Sequence, residues 1–455
     1  MEFKKIFYQF FGCTVWNISA GNSCFLFIEQ GGDFMETKKK GIYFGWWIVA
    51  TCFLLMMTVY SGAYNLAGMF VPYMAEDLGV STTAVTTSIT ILFFGVMAGS
   101  LAAGHILEKF DMRKVTSLLL VVAAISFFGA ARSNTLALQY VWVIVRGLAL
   151  AGVLTIPISI LITNWFGKKM KGKAMSIAMI GSGIGTMALN PITAYIIEAI
   201  GWRNAYIVYA VMCLVMIIPV VLTFVRKPED KGLVRIGDDP EEMIEVKNND
   251  GLAYKFALKT FMFWGLMLVF ILISTISQNW MISGYSYLYD VGFDAVLVGT
   301  MFTVNSLGIT VGKVFFGIFN DKFGSKKSWI FSLAIYAVAY IILMTLEATP
   351  STAIAFVGSA IMGFTTGSIV LLMPLSASEL FGTKAFGRIY SNLDAGTTFG
   401  SSLLPLVNTL IFDVTGSFHW AWISNIAMSV VTIIVVVACY GVKKRTYEKA
   451  VREEK

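Results

Sequence analysis

Three ionisable side chains lie inside long apolar stretches of this chain, where little water can stabilise a charge. They are Arg146, Lys313 and Asp394. A charge at the centre of a membrane-spanning helix costs from about 2.5 kcal/mol upward, so each is a candidate for handling an ion. An arginine or lysine can bind an anion, whereas a carboxylate can take up and release a proton.

Lys313 and Asp394 fall at similar depths on two predicted helices. Lys313 precedes Asp321 by eight residues, and Asp394 follows Phe386 by eight residues. At 1.5 Å per residue, each lies about 12 Å from one end of its own helix, and these two ends are on the same side of the membrane. We therefore expect an ion pair that an incoming anion breaks and a proton replaces. A permanent structural salt bridge is the alternative, and the Lys313 ammonium could instead extend to the surface.

Arg146 lies ten residues after Leu136, where another apolar stretch begins. This spacing corresponds to about 15 Å, close to the middle of a bilayer. The glycines that follow, Gly147 and Gly152, would let a neighbouring helix approach closely. Arg146 is therefore a candidate for binding a substrate, and the alternative is a structural guanidinium that holds backbone carbonyls.

The composition indicates the elements that carry these residues. Of the 455 residues 57% are hydrophobic and 13% are charged, and an apolar segment needs roughly 20 residues to span a bilayer as a helix. Twelve such segments can be placed, near residues 44–70, 83–107, 115–131, 136–162, 173–197, 203–225, 260–285, 296–319, 328–346, 351–374, 387–411 and 418–442. The sequence thus predicts an all-α membrane protein with twelve transmembrane helices.

A charged turn motif occurs twice, after the second and the eighth predicted helix. The copies are Gly104–Lys114 (GHILEKFDMRK) and Gly317–Lys327 (GIFNDKFGSKK), and their first glycines are 213 positions apart. Two further pairs recur at nearly the same spacing: Pro157 with Pro374, and Gly185 with Gly400. A shared offset indicates an internal duplication, so we expect two pseudo-symmetric six-helix bundles.

The long hydrophilic stretches give the domain boundaries. We expect an N-terminal extension at 1–40, a first bundle at 41–225, a solvated linker at 226–259, a second bundle at 260–442 and a tail at 443–455. The extension is either disordered or a wrongly assigned start, because codons for Gly31–Asp33, just before Met35, can read as a bacterial ribosome-binding site.

Basic residues predict the orientation, because lysine and arginine are retained on the cytoplasmic side of short loops. If both ends are cytoplasmic, the predicted turns on the other side carry only Arg132 and Arg203. The net charge of +7 then reflects topology and requires no nucleic-acid partner. No phosphate-binding Gly-rich loop supports ATP-driven transport. His105 and His419 lack spaced partners for a metal, and no cofactor is expected.

The repeated turn resembles the signature of the major facilitator superfamily. Two further stretches, Asn164–Pro191 and Tyr287–Phe293, are similar to the branch of oxalate/formate antiporters and monocarboxylate transporters. The resemblance implies two bundles around one central site that opens alternately to either side. It implies a monomeric plasma-membrane transporter, with no enzyme activity, that moves a small mono- or dicarboxylate by proton symport or by exchange with another anion.

The resemblance also implies roles for particular residues. The branch typically has a carboxylate-binding arginine where this chain has Lys313, and a lysine loses the bidentate fork. Helices 1 and 7 flank the central path in this superfamily, and with helix 11 they supply further candidates. The substrate-binding candidates are Arg146, Lys313, Tyr64, Asn65, Asn279, Tyr285 and Asn392, and Asp394 is the candidate for proton coupling.

The turn motifs are candidate gates. An acid at the end of one helix can face the amino end of a helix from the other half, where the helix dipole favours negative charge. We expect Asp321 to meet the chain near Gly172, and Glu108 to meet it near Gly387 and Arg388. The basic residues of the motifs, Lys109, Arg113, Lys322 and Lys326, complete the gating candidates. The alternative is that these charges only set topology.

Two other functions fit the same fold. The helices are apolar, and the chain has 23 methionines in total. These features favour proton-driven efflux of lipophilic compounds, whereas Lys313 disfavours it. A membrane sensor or partner-binding protein would keep the fold and lose transport. The intact second motif argues against that third possibility.

Overall fold

The structure is a computed structural model that describes residues 43–237, 251–402, 414–415 and 417–453. The predicted N-terminal extension and most of the acidic part of the linker lie outside these residues. The described chain is almost entirely helical, and its extended segments form only two isolated bridges.

Twelve long helices, α1 to α12, account for most of the described chain. Their bounds are Phe44–Asn65, Thr82–Lys109, Met112–Ala131, Leu136–Trp165, Lys171–Ile200, Trp202–Thr223, Phe261–Asp290, Ala295–Phe323, Ser325–Met344, Thr352–Phe381, Phe386–Ser402 and Phe418–Gly441. Of these, α4 is interrupted after Ala151 and α6 after Val215. Shorter helices cover Val71–Leu78, Pro228–Lys231, Tyr254–Ala257 and Lys443–Glu453.

Eleven helices of the described chain are long and apolar enough to cross a membrane. The remaining one is α11, which was predicted at 387–411 and is described only as far as Ser402. Polar side chains begin several of the helices, because they accept hydrogen bonds from backbone N–H groups that lack helical partners. Ser81, Thr135 and Asp294 do so at α2, α4 and α8.

The first helix departs from regular α geometry. It is α-helical over Phe44–Leu55 and π-helical over Met56–Asn65. The corresponding helix of the second half, α7, is a regular α-helix over Phe261–Asp290. π-helical segments are rare, and those that occur are often found at functional sites. This difference therefore marks the second part of α1 as a candidate site.

Small residues bring helices of the same half into close contact. In the first half, a Cβ on Gly185 of α5 would overlap the backbone oxygen of Met57 in α1. In the second half, a Cβ on Gly400 of α11 would overlap the backbone oxygen of Ile271 in α7. These glycines were identified as a repeated pair in the sequence, and both permit the same close helix packing.

The two halves meet where the charged turns lie, which we call the motif end of the molecule. There α5 packs against α8, and α2 packs against α11. A Cβ on Gly104 would overlap Gly387 O and Ser391 Oγ, and a Cβ on Gly317 would overlap Ser176 Oγ and Gly172 O. The first glycine of each motif is therefore needed for close approach of a helix from the other bundle.

Both described ends of the linker are docked, which differs from the predicted solvated segment. Gly167 N donates to Ile236 O at 2.7 Å, and Leu252 N donates to Phe381 O at 2.9 Å. Tyr43 Oη lies 3.0 Å from Val234 O, and burial raises the pKa of Tyr43, so this hydroxyl remains a donor. Backbone groups of the linker are hydrogen-bonded here to backbone at the ends of α4 and α10. The hydrophilic composition of the linker does not reveal this pairing.

Candidate functional site

Lys313 of α8 reaches into the other half of the molecule. Its Nζ donates to Ser182 Oγ at 2.7 Å and to Met179 O at 3.2 Å, both on α5. The residue is only 5% exposed, and no carboxylate of the described chain lies within 4.0 Å of its Nζ. Its ammonium is thus buried against two neutral oxygen atoms.

Asp394 of α11 also contacts the opposite half. Ser100 Oγ of α2 donates to Asp394 Oδ2 at 2.9 Å, and Asp394 is 9% exposed. The predicted ion pair between Lys313 and Asp394 is therefore not formed in this structure. The prediction placed both residues at one depth but could not fix the helix faces, and these faces point to α5 and α2 respectively.

The two contacts are equivalent under the internal repeat. Ser100 and Lys313 are 213 positions apart, and Met179 and Asp394 are 215 positions apart. These are the offsets of the paired motif glycines and of the pair Gly185 and Gly400. The same position of α2 and α8 thus contacts the same position of α11 and α5. The contact between α2 and α11 contains the Asp394 carboxylate, and the contact between α8 and α5 contains the Lys313 ammonium.

The motif acids lie where the sequence analysis expected them. Asp321 accepts from Gly172 N at 2.6 Å and from Lys173 N at 2.8 Å, at the first turn of α5. Glu108 accepts from Arg388 N at 3.0 Å, and its other oxygen lies 2.5 Å from Arg388 Nε. Carboxylates at helix amino ends are stabilised by the unpaired N–H groups and by the dipole. The gating role itself remains a prediction.

The basic motif residues contact their own turns. Lys109 Nζ lies 5.6 Å from the centre of the Phe110 ring, and Lys322 Nζ lies 5.3 Å from that of Phe323. Arg113 Nε lies 3.8 Å from Asp111 Oδ1. Lys326 is half-buried. These contacts are local, so the acids make the connection between halves.

Arg146 is buried inside the first bundle. Its guanidinium lies 4.4 Å from the ring centre of Phe127 and 5.4 Å from that of Tyr206. Its Nε is buried and has no hydrogen-bond partner in the described chain. Cation–π contacts stabilise the charge here, in place of the backbone carbonyls considered from the sequence.

Tyr64 and Asn65 lie at the end of the π-helical segment of α1. Tyr64 stacks on Tyr60 with ring centres 4.9 Å apart, and its ring centre lies 5.9 Å from that of Phe93 in α2. Asn65 is exposed, and its Nδ2 donates to Thr186 Oγ1 at 2.6 Å.

The remaining candidates differ in their accessibility. Asn279 is fully buried, and its Nδ2 donates to Asn425 Oδ1 at 2.6 Å, whereas its Oδ1 has no hydrogen-bond partner in the described chain. Tyr285 is 40% exposed and stacks on Phe302. Asn392 donates to Arg388 O at 2.8 Å, within α11. Of these three, Tyr285 is the most accessible to a ligand in this conformation.

The sequence analysis missed Ser100, Ser182 and Thr186, which contact the predicted residues. Hydroxyl residues are common in membrane helices, so their type alone gave no signal. The repeat offset would have identified Ser100, because it occupies the position that corresponds to Lys313.

This geometry defines a class of protein: two pseudo-symmetric helical bundles that meet at charged turns, with buried charges between them. The model of the Major Facilitator Superfamily matches residues 52–291 and 273–455. The chain therefore belongs to the major facilitator superfamily, whose members are secondary transporters and not enzymes. This confirms the predicted family, and the chain is a multi-pass membrane protein.

Several curated relatives are distant but cover most of the chain. The sialic acid transporter NanX of Escherichia coli is 25% identical over 79% of this chain and 86% of its own length. The oxalate:formate antiporter of Oxalobacter formigenes is 24% identical over 88% of this chain and 93% of its own. Human monocarboxylate transporter 12 is 24% identical over 83% of this chain and 77% of its own.

Solved structures show the same fold. The proton:xylose symporter XylE matches with a TM-score of 0.71 and 13% identity, over 88% of this chain and 95% of its own. The human organic anion transporter MFSD10 matches with a TM-score of 0.61 and 12% identity, over 86% of this chain and 97% of its own. The predicted fold is confirmed.

Proposed function

We propose that this transporter moves a small organic anion, a mono- or dicarboxylate, and that Lys313 binds its carboxylate. The observation that carries the proposal is the buried Lys313 ammonium, whose partners among the described residues are only Ser182 Oγ and Met179 O. An ammonium has three N–H donors, and a buried charge without a counter-ion is costly. A substrate carboxylate would supply the missing charge.

Substrate binding would then act on the contact between the two bundles. The oxygen atoms that hold Lys313 lie on α5, in the opposite half of the molecule. A carboxylate that takes the ammonium competes with these oxygens, so it weakens the α5–α8 contact. The free energy of substrate binding would thus be coupled to the opening of the motif end, as alternating access requires.

Asp394 is our candidate for proton coupling. Its carboxylate holds α11 against Ser100 of α2, and this contact has to separate when the motif end opens. A carboxylate that loses its hydrogen-bond donor in an apolar site takes up a proton more readily. With this proton uptake the protein would work by proton symport. Without it, the protein would exchange one anion for another.

The gate and the orientation complete the proposal. Asp321 and Glu108 would hold the motif end closed until substrate binds. The distribution of basic residues favours a cytoplasmic location for this end and for both termini, with the protein in the plasma membrane. The conformation described here would then be closed to the cytoplasm, in a monomer with bundles at 41–225 and 260–442.

The test is uptake of a panel of labelled carboxylates into proteoliposomes, with and without a pH gradient. We expect saturable uptake of at least one acid by the full-length chain. Lys313→Met should abolish that uptake, and Lys313→Arg should retain part of it, because the positive charge persists. Uptake by Lys313→Met at the rate of the unaltered chain would disprove the anion-binding role.

Asp394→Asn tests the coupling separately. The side-chain amide oxygen can still accept from Ser100 Oγ, so the bundle contact is kept. We expect stimulation by the pH gradient to disappear while exchange of labelled for unlabelled acid continues. Gradient-driven uptake that survives the substitution would remove Asp394 from the proton path.

Efflux of a lipophilic compound is the second candidate, and one feature favours it. A groove of about 300 Å³ lies between α2, α3 and α4, and its walls are aliphatic residues and glycines. Such a groove could hold an apolar molecule but offers no group for a carboxylate. Extrusion of lipophilic dyes without uptake of any acid would favour this function over anion transport.

A further inference from the structure

A row of polar side chains connects Lys313 with the exposed Asn65. Lys313 Nζ donates to Ser182 Oγ at 2.7 Å. One turn along α5, Thr186 Oγ1 donates to Ser182 O at 2.8 Å. Asn65 Nδ2 of α1 then donates to Thr186 Oγ1 at 2.6 Å. The exposure of these residues rises in the same order, from buried Ser182 through half-buried Thr186 to exposed Asn65.

The internal repeat provides a control for this row. Asn279 follows Asn65 by 214 positions, so the two asparagines occupy corresponding places on α7 and α1. Asn279 is fully buried and bonded to Asn425 of α12. The asparagine of the second bundle thus lies inside its own bundle, whereas that of the first bundle is exposed and turned to α5.

The cause of this difference is the π-helical segment of α1. A π-helix bonds each residue to the fifth residue along and turns less per residue than an α-helix. Over Met56–Asn65 this changes the face on which the last side chains lie, while α7 remains a regular helix. The exposed Asn65 thus results from an irregularity that the other half of the molecule does not share.

The chemistry of the row suggests what it would bind. Asn65 Nδ2 is occupied by Thr186, and in the described chain Asn65 Oδ1 accepts no hydrogen bond. An exposed amide oxygen is an acceptor, so it selects a ligand group with an O–H or N–H donor. Ser182 and Thr186 are four residues apart, which places this acceptor roughly 6 Å or more along α5 from the ammonium.

We propose that Asn65 and Thr186 form a second subsite, and that the substrate is a carboxylic acid with a hydroxyl or amide N–H donor about one helical turn from its carboxylate. This inference rests on the proposed anion site at Lys313. The carboxylate binds Lys313, and the distal donor binds Asn65 Oδ1. Thr186 is a positioning residue, because its hydroxyl holds the Asn65 amide in place.

The experiment measures equilibrium binding to the full-length purified protein by calorimetry. The probes are butanoate, pentanoate and hexanoate, each compared with its terminally hydroxylated counterpart. At the best chain length we expect the hydroxylated acid to bind on the order of tenfold more tightly, because a site built for a donor leaves a polar group unpaired with the plain acid.

The matched variants separate the subsite from helix packing. Thr186→Val keeps the shape and removes the hydroxyl, so it should reduce the preference to about twofold or less, because the hydroxylated acid loses more affinity than the plain acid. Thr186→Ser should restore the preference. Thr193→Val makes the same change on the same helix, where the Thr193 hydroxyl bonds Tyr209 Oη at 2.6 Å, and it should leave the preference intact.

The outcomes distinguish this inference from the proposed function. Equal binding of plain and hydroxylated acids, or an equal loss of both in Thr186→Val, would overturn the second subsite while dependence on Lys313 persists. If Lys313→Met binds both acids normally, or if the unaltered chain binds neither, the anion site fails and the subsite fails with it.

Discussion

The α5–α8 contact and the α2–α11 contact are built on the same plan but carry opposite charges. Each has a motif glycine against a partner helix, an acid at a helix amino end, and a polar contact one level deeper. At that deeper level α8 contributes Lys313 and α11 contributes Asp394. Duplication thus supplied one geometry twice, and later substitutions placed a lysine in one contact and an aspartate in the other.

The acids of the two contacts also differ in what they bind. Asp321 accepts from two backbone N–H groups, whereas Glu108 accepts from one and pairs with the partly exposed guanidinium of Arg388. Backbone donors in a buried contact are fixed by the helix. The Arg388 side chain is 41% exposed and that of Glu108 is 14% exposed, so solvent partly screens this ion pair, which contributes about 0–1 kcal/mol. The α5–α8 contact should therefore be the stronger of the two.

The largest effect should come from filling the close approach of α5 and α8. Gly317→Val would place its side chain into Ser176 and the backbone oxygen of Gly172, and overpacking of this kind costs about 1–3 kcal/mol or more. We expect the closed motif end to be disfavoured on the order of 100-fold. The measurement is the thiol reactivity of Ile160→Cys at the motif end, in a chain without its native cysteines.

Gly299→Val is the matched control, because Gly299 lies on the same helix with open space around it. It should leave the reactivity of the engineered cysteine unchanged. An unaltered reactivity in Gly317→Val would mean that α5 and α8 do not close as tightly as the structure shows.

A smaller effect should separate the two acids. Asp321→Asn keeps one carbonyl oxygen for two backbone donors, so we expect closure to weaken on the order of tenfold, since a hydrogen bond to a charged group contributes about 1.5–3 kcal/mol. Glu108→Gln keeps its single backbone bond and loses a half-buried ion pair that solvent partly screens, so about threefold is expected. The same cysteine reactivity reports both, and a larger effect for Glu108→Gln would reverse the proposed order of strength.

The smallest effect concerns the turns that follow the two acids. Gly324 has φ +79° and ψ 165°, a conformation that is essentially restricted to glycine. Asp111, at the corresponding position, has φ −62° and accepts from Arg113 N at 2.9 Å. We expect Gly324→Ala to cost about 1–3 kcal/mol of stability and Asp111→Gly only about a few tenths. Thermal unfolding in detergent measures both, and equal losses would contradict this difference.

Sequence reasoning succeeded where one strong physical rule decides the outcome. Apolar length predicted the helices, because hydrocarbon accepts backbone only in hydrogen-bonded segments. The repeated turn predicted that Asp321 and Glu108 would meet helix amino ends, because position along the chain and the helix dipole suffice for that. The expected ion pair of Lys313 and Asp394 was wrong, because equal depth does not specify which face of a helix a side chain occupies.

By itself the sequence determined the long apolar helices, their duplication and the charged residues Arg146, Lys313 and Asp394 within them, since composition and spacing are properties of the chain alone. Tertiary structure decided which oxygens each charge contacts, how the linker is docked, and that Asn65 is exposed while Asn279 is buried. These depend on helix rotation and on the π-helical segment of α1. Both are set by packing between residues far apart in the chain, whose contacts no local pattern records.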